Sequence, residues 1–226
     1  MRVPQKEAKK GSQYWIQIAV NTGHEVLRGM VSDKLRKIQA QDIDWKSPRA
    51  TDQYVEYRDA DFLELLGLKN HASSLREFWP QGGPQWDALG ITRQGQPLVV
   101  EAKGNISEMI SKCKAESPKS KARIEASLNE VKTHLRVPSE CNWLSSFYQY
   151  ANRLAHLYFL REVCGVEAYL VCIYFTGDYT HIHTSAPEWD GALELRNRVM
   201  GLKRRNRLSD FIADIYIDVS ELAGRA

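Results

Sequence analysis

The 226-residue chain has few cysteines, little net charge and no long apolar run, and each shortage closes off a class of answer. The four cysteines, Cys113, Cys141, Cys164 and Cys172, show no C-x-x-C spacing and no secretory context. Free thiols in a reducing cytoplasm follow, and a zinc site does not. The lysine-rich start, Met1 to Lys10, has no apolar h-region after it. No stretch approaches the roughly 18 to 20 apolar residues of a membrane span, so a soluble, cytoplasmic chain with no membrane partner is expected. A formal net charge of +3 is too small to announce a nucleic-acid binder, so local clusters matter more than the total. There is no internal repeat or low-complexity tract. The glycine-rich Pro80-Gln81-Gly82-Gly83-Pro84 lacks the Lys-Ser/Thr ending of a P-loop and reads as a turn.

What is present is material for a core: 43% hydrophobic residues, ten Tyr and six Trp. The stretch from Glu77 to Asn105 organises it. Pro97-Leu98-Val99-Val100 is a continuous apolar run, the mark of a central strand covered on both faces. It ends in Glu101-Ala102-Lys103, and period-two alternation puts Glu101 and Lys103 on one face with Ala102 on the other. Trp86 to Thr92 reads as the preceding hairpin strand, with Arg93-Gln94-Gly95-Gln96 as the turn, so Asp87 is carried towards Glu101.

Two neighbouring carboxylates repel unless a cation lies between them, and an oxygen-preferring divalent ion is the natural guest. The Ala102 backbone carbonyl offers another oxygen ligand, and Lys103 can hold a water or stabilise charge on a phosphate. The spacing resembles the PD-(D/E)xK phosphodiesterase superfamily, the restriction-endonuclease-like nucleases, with Asp87, Glu101 and Lys103 in the places of the two acids and the lysine. Trp86 stands where that motif has proline. The resemblance implies an αβββαβ core, Mg2+ or Mn2+ held by Asp87, Glu101 and Ala102, and hydrolysis of nucleic acid, DNA in preference to RNA. It also implies a further acid from the first helix or strand, for which Glu56, Glu64 and Glu77 are the candidates. On the helix after the Glu-x-Lys strand, Tyr148, Gln149, Asn152 and Arg153 resemble a family helix motif, which makes Gln149 and Arg153 candidate phosphate-binding groups.

The remaining elements are read from periodicity. Residues 1 to 12 look like a trailing start, and Tyr14 to Val20 fits a strand or a helical turn. Helices are expected over Glu25 to Gln39, Tyr54 to Leu68, Pro118 to about Leu135, Asn142 to Cys164 and Glu188 to Leu202. Strands are expected at Ser74 to Trp79, Val166 to Phe175 and Ile212 to Val219. Asp42 to Asp52, broken by Pro48, reads as a connection. Lys112, Lys114, Lys119 and Lys121, and the run containing Arg204 and Arg205, suit a phosphate backbone as well as they suit solvated surface. His181 and His183 on one strand face lack an acid or cysteine at ligand spacing.

The expected architecture is a single α/β domain over 1–226, a mixed central sheet flanked by helices with extra terminal helices. The nuclease-like core spans about 54–176, with an N-terminal helical extension at 13–53 and a C-terminal helix and strand at 187–220. The expected activity is metal-dependent phosphodiester hydrolysis. The alternatives are an idle nuclease-like module that binds nucleic acid or serves assembly, and a hydrolase of small phosphorylated molecules. Oligomeric state is left open.

Overall fold

The computed structural model describes residues 1–35 and 43–224. In chain order the first elements are β1 (Arg2–Val3), α1 (Gly11–Asn21), α2 (His24–Lys34), β2 (Ile43–Ser47), β3 (Glu56–Tyr57), α3 (Ala60–Leu65) and α4 (Ala72–Phe78). Then follow β4 (Ala88–Thr92), β5 (Pro97–Lys103), α5 (Pro118–Leu135), α6 (Tyr148–Tyr158), β6 (Tyr169–Thr176), α7 (Ala186–Val199), β7 (Ile212–Asp218) and α8 (Ser220–Ala223).

The architecture is α/β: five strands in the order β2-β4-β5-β6-β7 form a mixed sheet with helices on both faces. The β2, β4 and β5 strands run antiparallel to their neighbours, while β5, β6 and β7 are parallel. The parallel part is apolar on both sides, as strands covered by helices must be. Leu98, Val100 and Ala102 of β5 point into one core with Trp15, Ile16 and Val20 of α1 and with Leu27 and Val31 of α2. Val99 points into the other core, with Ile124 and Leu128 of α5 and Leu154 and Leu157 of α6. Alternation then delivers Glu101 and Lys103 to the α6 side of the sheet.

The helix at Pro118–Leu135 has the expected bounds. Ser117 caps it by accepting from the Ser120 amide at 3.4 Å, Pro118 opens it, and Ile124, Leu128, Val131 and Leu135 form its buried stripe.

Several expectations fail on short segments. Residues 1 to 12 are not a free tail, because Arg2–Val3 pairs with Glu56–Tyr57 and α1 begins at Gly11. Tyr14 to Val20 is helical, and Trp15 to Val20 are buried without a break, so the helix is enclosed all round where a one-faced strand would alternate. The expected helix at Tyr54 to Leu68 survives only as Ala60–Leu65. Ahead of it Tyr54 and Asp59 have φ of 50° and 54°, which no right-handed helix can absorb.

The strand expected at Ser74 to Trp79 is helix α4, with Leu75 turned into the core and Trp79 following in extended backbone. The outer antiparallel strand comes instead from Ile43–Ser47, in the segment read as a connection. There Trp45 lies against Gly90, where a Cβ would stand 3.0 Å from the indole and from Ile43, so glycine gives β2 its close fit on β4. Helix α6 starts at Tyr148, six residues later than expected, and closes in a π-helical turn over Phe159–Val163. His181 and His183 lie in a loop. Of the helix expected over Glu25 to Gln39, residues 36–39 lie outside the described residues. No helix among the described residues is long and apolar enough to cross a membrane.

Candidate active site

The register of β4 with β5 pairs Ala88 with Val100. One step further sets Asp87 opposite Glu101, and the Asp87 amide donates to the Val100 carbonyl at 3.2 Å. Like charges directly opposite in a sheet repel, so this juxtaposition needs compensation, and β5 and α6 supply it. Glu101, 5% exposed, takes Lys103 Nζ on Oε1 at 2.6 Å. Its Oε2 takes Arg153 through Nε at 2.6 Å and Nη2 at 2.5 Å. Asp87 Oδ2 accepts from the Ala102 amide at 2.7 Å.

Of the three candidate acids, Glu56 is the one the fold brings close to Asp87 and Glu101. It is buried on β3 and accepts from Gln85 Nε2 at 2.5 Å and Gln5 Nε2 at 3.3 Å. Neither of its rivals joins it. Glu64 is paired on the surface with Lys69 at 2.7 Å, and Glu77 is exposed on α4.

Three carboxyl groups thus share two cations, and the imbalance falls unevenly. Burial, then the charges of Glu101 and Glu56, push the Asp87 carboxyl well above its ordinary value. Burial also raises Glu56, with Glu101 adding to it and Gln85 opposing. Burial would raise Glu101 as well, but Arg153 and then Lys103 outweigh it and hold that carboxyl below its usual range. Burial works against the Lys103 ammonium, yet Glu101 and Asp87 keep its pKa raised. Lys103 is therefore a cation and a donor, not a base.

Two expected phosphate-binding groups are already committed elsewhere. The Arg153 guanidinium also gives Nη1 to Asn152 at 2.8 Å and Nη2 to the Gln85 carbonyl at 2.9 Å, and lies 5.0 Å from the centre of the Trp86 ring. It positions Glu101, and these contacts leave one Nη1 N–H, too few for a bidentate phosphate clamp. Gln149 Oε1 accepts from Lys103 Nζ at 3.1 Å and aims the lysine. Two acceptors leave the ammonium a third N–H for a ligand.

Lys103 opens onto a cleft of about 480 Å³ shared with Glu108, Ser111, Lys112, Lys114 and Gln149. Residues 110–114 are extended: Ser111 and Cys113 donate to Ser146 and Leu144 at 2.6 and 2.7 Å, and Ile110, Lys112 and Lys114 turn outwards. Lys119 and Lys121 lie exposed in the first turn of α5, and Arg204 and Arg205 are exposed in the loop before β7. None of these four lines the cleft.

Sequence reasoning missed Gln5, Gln13, Gln85 and Glu108. Gln13 donates to Gln5 Oε1 at 2.9 Å and so backs the cradle of Glu56. Glu108 accepts from the Gly104 amide and from Asn105 Nδ2, both at 3.0 Å, and fixes the turn that ends β5. Single amides carry no pattern that could have marked them.

Among the described residues no three His, Cys, Asp or Glu side chains form a ready metal cage. The donor set nevertheless fits a hard divalent cation: Asp87 and Glu101, with the Ala102 carbonyl in reach of the same strand end, are all oxygen donors. Burial and the charges of Glu101 and Glu56 disfavour ionisation of Asp87, and such an ion would stabilise its charged form. Comparison of the chain with protein-family models, with curated proteins and with solved structures finds no match.

Proposed function

We propose that the protein is a Mg2+- or Mn2+-dependent phosphodiesterase of the restriction-endonuclease-like type, acting on nucleic acid and on DNA in preference to RNA. The observation that carries this reading is the meeting of Asp87, Glu101 and Lys103 at the end of β5, where three carboxyl groups stand against two cations. The element order supports it too. With β3, α3 and α4 set aside as an insertion between β2 and β4, helices α1 and α2, strands β2, β4 and β5, helices α5 and α6, then β6 are consistent with an αβββαβ succession, shifted towards the N-terminus from the expected 54–176.

On this reading Asp87 and Glu101 hold the cation, with the Ala102 carbonyl beside them. A cation held there would supply Lewis-acid polarisation of the phosphoryl group and a more acidic water. Arg153 and Gln149 fix the directions of Glu101 and Lys103. The Lys103 ammonium stabilises charge developing on the phosphate. Glu56, its affinity for a proton raised by burial, is the carboxyl suited to accept one from the attacking water. Lys112 and Lys114 track the backbone next to the scissile phosphate.

The test is cleavage of end-labelled DNA, duplex and single-stranded, in Mg2+ or Mn2+, by the wild type and by Asp87→Asn. Equal cleavage by both would refute the assignment. A second reading, a nuclease-like module that binds without cutting, is favoured by the occupation of both Glu101 oxygens by Arg153 and Lys103. It predicts salt-dependent DNA binding with no turnover in either metal. A hydrolase of small phosphoesters would instead show little salt dependence.

A further inference from the structure

One turn along α6 from Arg153, His156 is 1% exposed and makes edge contacts with Trp79 and Trp86 at 5.0 and 6.2 Å. Its Nδ1 stands 2.9 Å from the Asn152 carbonyl. That oxygen can only accept, so the proton sits on Nδ1 and Nε2 carries a lone pair. Burial keeps the ring neutral by lowering its pKa to about 3. His156 lines a pocket of about 510 Å³ together with Asp59, Ala60, Leu75, Trp79 and Pro80. That size is within the usual range for small-molecule sites.

Asp59 is the second unusual residue there. Its backbone, φ 54° and ψ −141°, lies in a region that side chains rarely tolerate, and such strain concentrates where a site holds it in place. Its Oδ1 accepts from the Gly82 and Gly83 amides at 3.0 and 2.9 Å. Its Oδ2 is buried and held only by a long ion pair to Arg58 Nε at 3.9 Å, neither atom making a hydrogen bond. An orphaned carboxylate oxygen is costly unless something donates to it.

Gly83 marks where the two acceptors converge. A Cβ there would lie 3.3 Å from His156 Nε2, 3.4 Å from Asp59 Oδ1 and 3.5 Å from Trp79 Cδ1. The corner therefore offers a neutral imidazole acceptor and a carboxylate beside Trp79 and Pro80, in a pocket that Met1 and Arg76 also line. Its complement is flat and rich in N–H donors.

We propose that this pocket is a binding site for a planar, amino-bearing heterocycle of purine size, whose ring and exocyclic N–H groups donate to Asp59 and His156. Guanine has adjacent N–H and NH2 donors on one edge, and hypoxanthine lacks the NH2. The site is separate from the Asp87–Glu101 cluster and holds whether or not that cluster hydrolyses anything.

The test is calorimetric titration of the full chain, without metal, with guanosine and with inosine. Nucleosides carry no phosphate and so do not probe the basic cleft. Guanosine is expected to bind below about 1 mM, with inosine about tenfold weaker for the missing donor. Gly83→Ala, whose backbone lies outside the left-handed region and suits alanine, should weaken guanosine at least about tenfold. Asp59→Asn, which turns one acceptor into a donor, should do the same. Asp87→Asn should bind guanosine as the wild type does. Absence of guanosine binding to the folded wild type, or equal binding by wild type and folded Gly83→Ala, would overturn the proposal.

Discussion

Replacing Arg153 by methionine tests the electrostatic account of the site most directly. The Arg153 side chain is 5% exposed, and the side chain of its partner Glu101 is 6% exposed. The substitution removes two contacts to Glu101 Oε2 and one bond each to Asn152 and the Gln85 carbonyl, as well as the stacking on Trp86. Methionine fills much of the volume, so the loss is electrostatic before it is steric. Breaking a buried pair from one side costs about 3–5 kcal/mol, against about 0–1 kcal/mol for an exposed pair such as Arg198–Glu194, whose side chains are 79% and 64% exposed. Urea denaturation should therefore place Arg153→Met about 3–5 kcal/mol below the wild type, a fall in Tm of about 2–4 °C per kcal/mol.

The pH dependence of that difference is also determined. Glu101 has its folded pKa held below its ordinary value of 4.5, so its share of stability is present above 4.5 and is lost as pH falls through the folded value. The gap between wild type and Arg153→Met should narrow there. Adding Glu101→Gln to Arg153→Met should recover part of the loss, because the buried Glu101 carboxylate is gone and Lys103 keeps Asp87 as its counter-charge. A loss below about 1 kcal/mol for Arg153→Met at neutral pH would show that the arginine does not anchor Glu101, and the charge accounting at the site would fall with it.

Other expectations follow from the same forces. Asp87→Asn should abolish metal-dependent cleavage yet raise stability at neutral pH in the absence of metal. The folded pKa of Asp87 is raised, so its ionisation opposes folding above the unfolded value, and the gain should vanish as the buffer is made acid. His156 works through a depressed pKa of about 3 against 6.5: the unfolded chain takes up a proton below 6.5 that the fold refuses. Between pH 6.5 and 5 the wild type should lose about 2 kcal/mol that His156→Gln retains, and equal slopes in denaturant melts would refute it. Gly104→Ala places a Cβ 2.8 Å from the Ser12 amide and should cost about 1–3 kcal/mol by forcing α1 off the end of β5, unless thermal melts of the two proteins coincide. Lys112→Ala and Lys114→Ala should each lower the slope of log affinity against log salt for DNA by about 1, and unchanged slopes would remove them from the backbone track.

Local chemistry made part of this molecule readable in advance. The apolar run into Glu101 and Lys103, the hairpin that returns Asp87, the capped helix at Pro118–Leu135 and the alternation of Ile212–Asp218 each rest on patterns within a few residues, where periodicity and turn preference decide. The sequence alone therefore determined an α/β chain whose central strand ends in Glu-x-Lys with an aspartate across the hairpin.

Tertiary structure decided what depends on residues distant in the chain. Ile43–Ser47 is too short to declare itself and becomes a strand because Gly90 admits Trp45. Leu75 and Phe78 fit a strand or a helix equally until the core beside α5 takes the helix. Glu56 could not be chosen over Glu64 and Glu77 from sequence, because what distinguishes it is burial beside Gln85 and Gln5, 29 and 51 residues away. Arg153, 52 residues from Glu101, changed from a candidate phosphate ligand to the counter-charge of an acid, because a guanidinium buried that deeply goes to whichever carboxylate the fold brings against it.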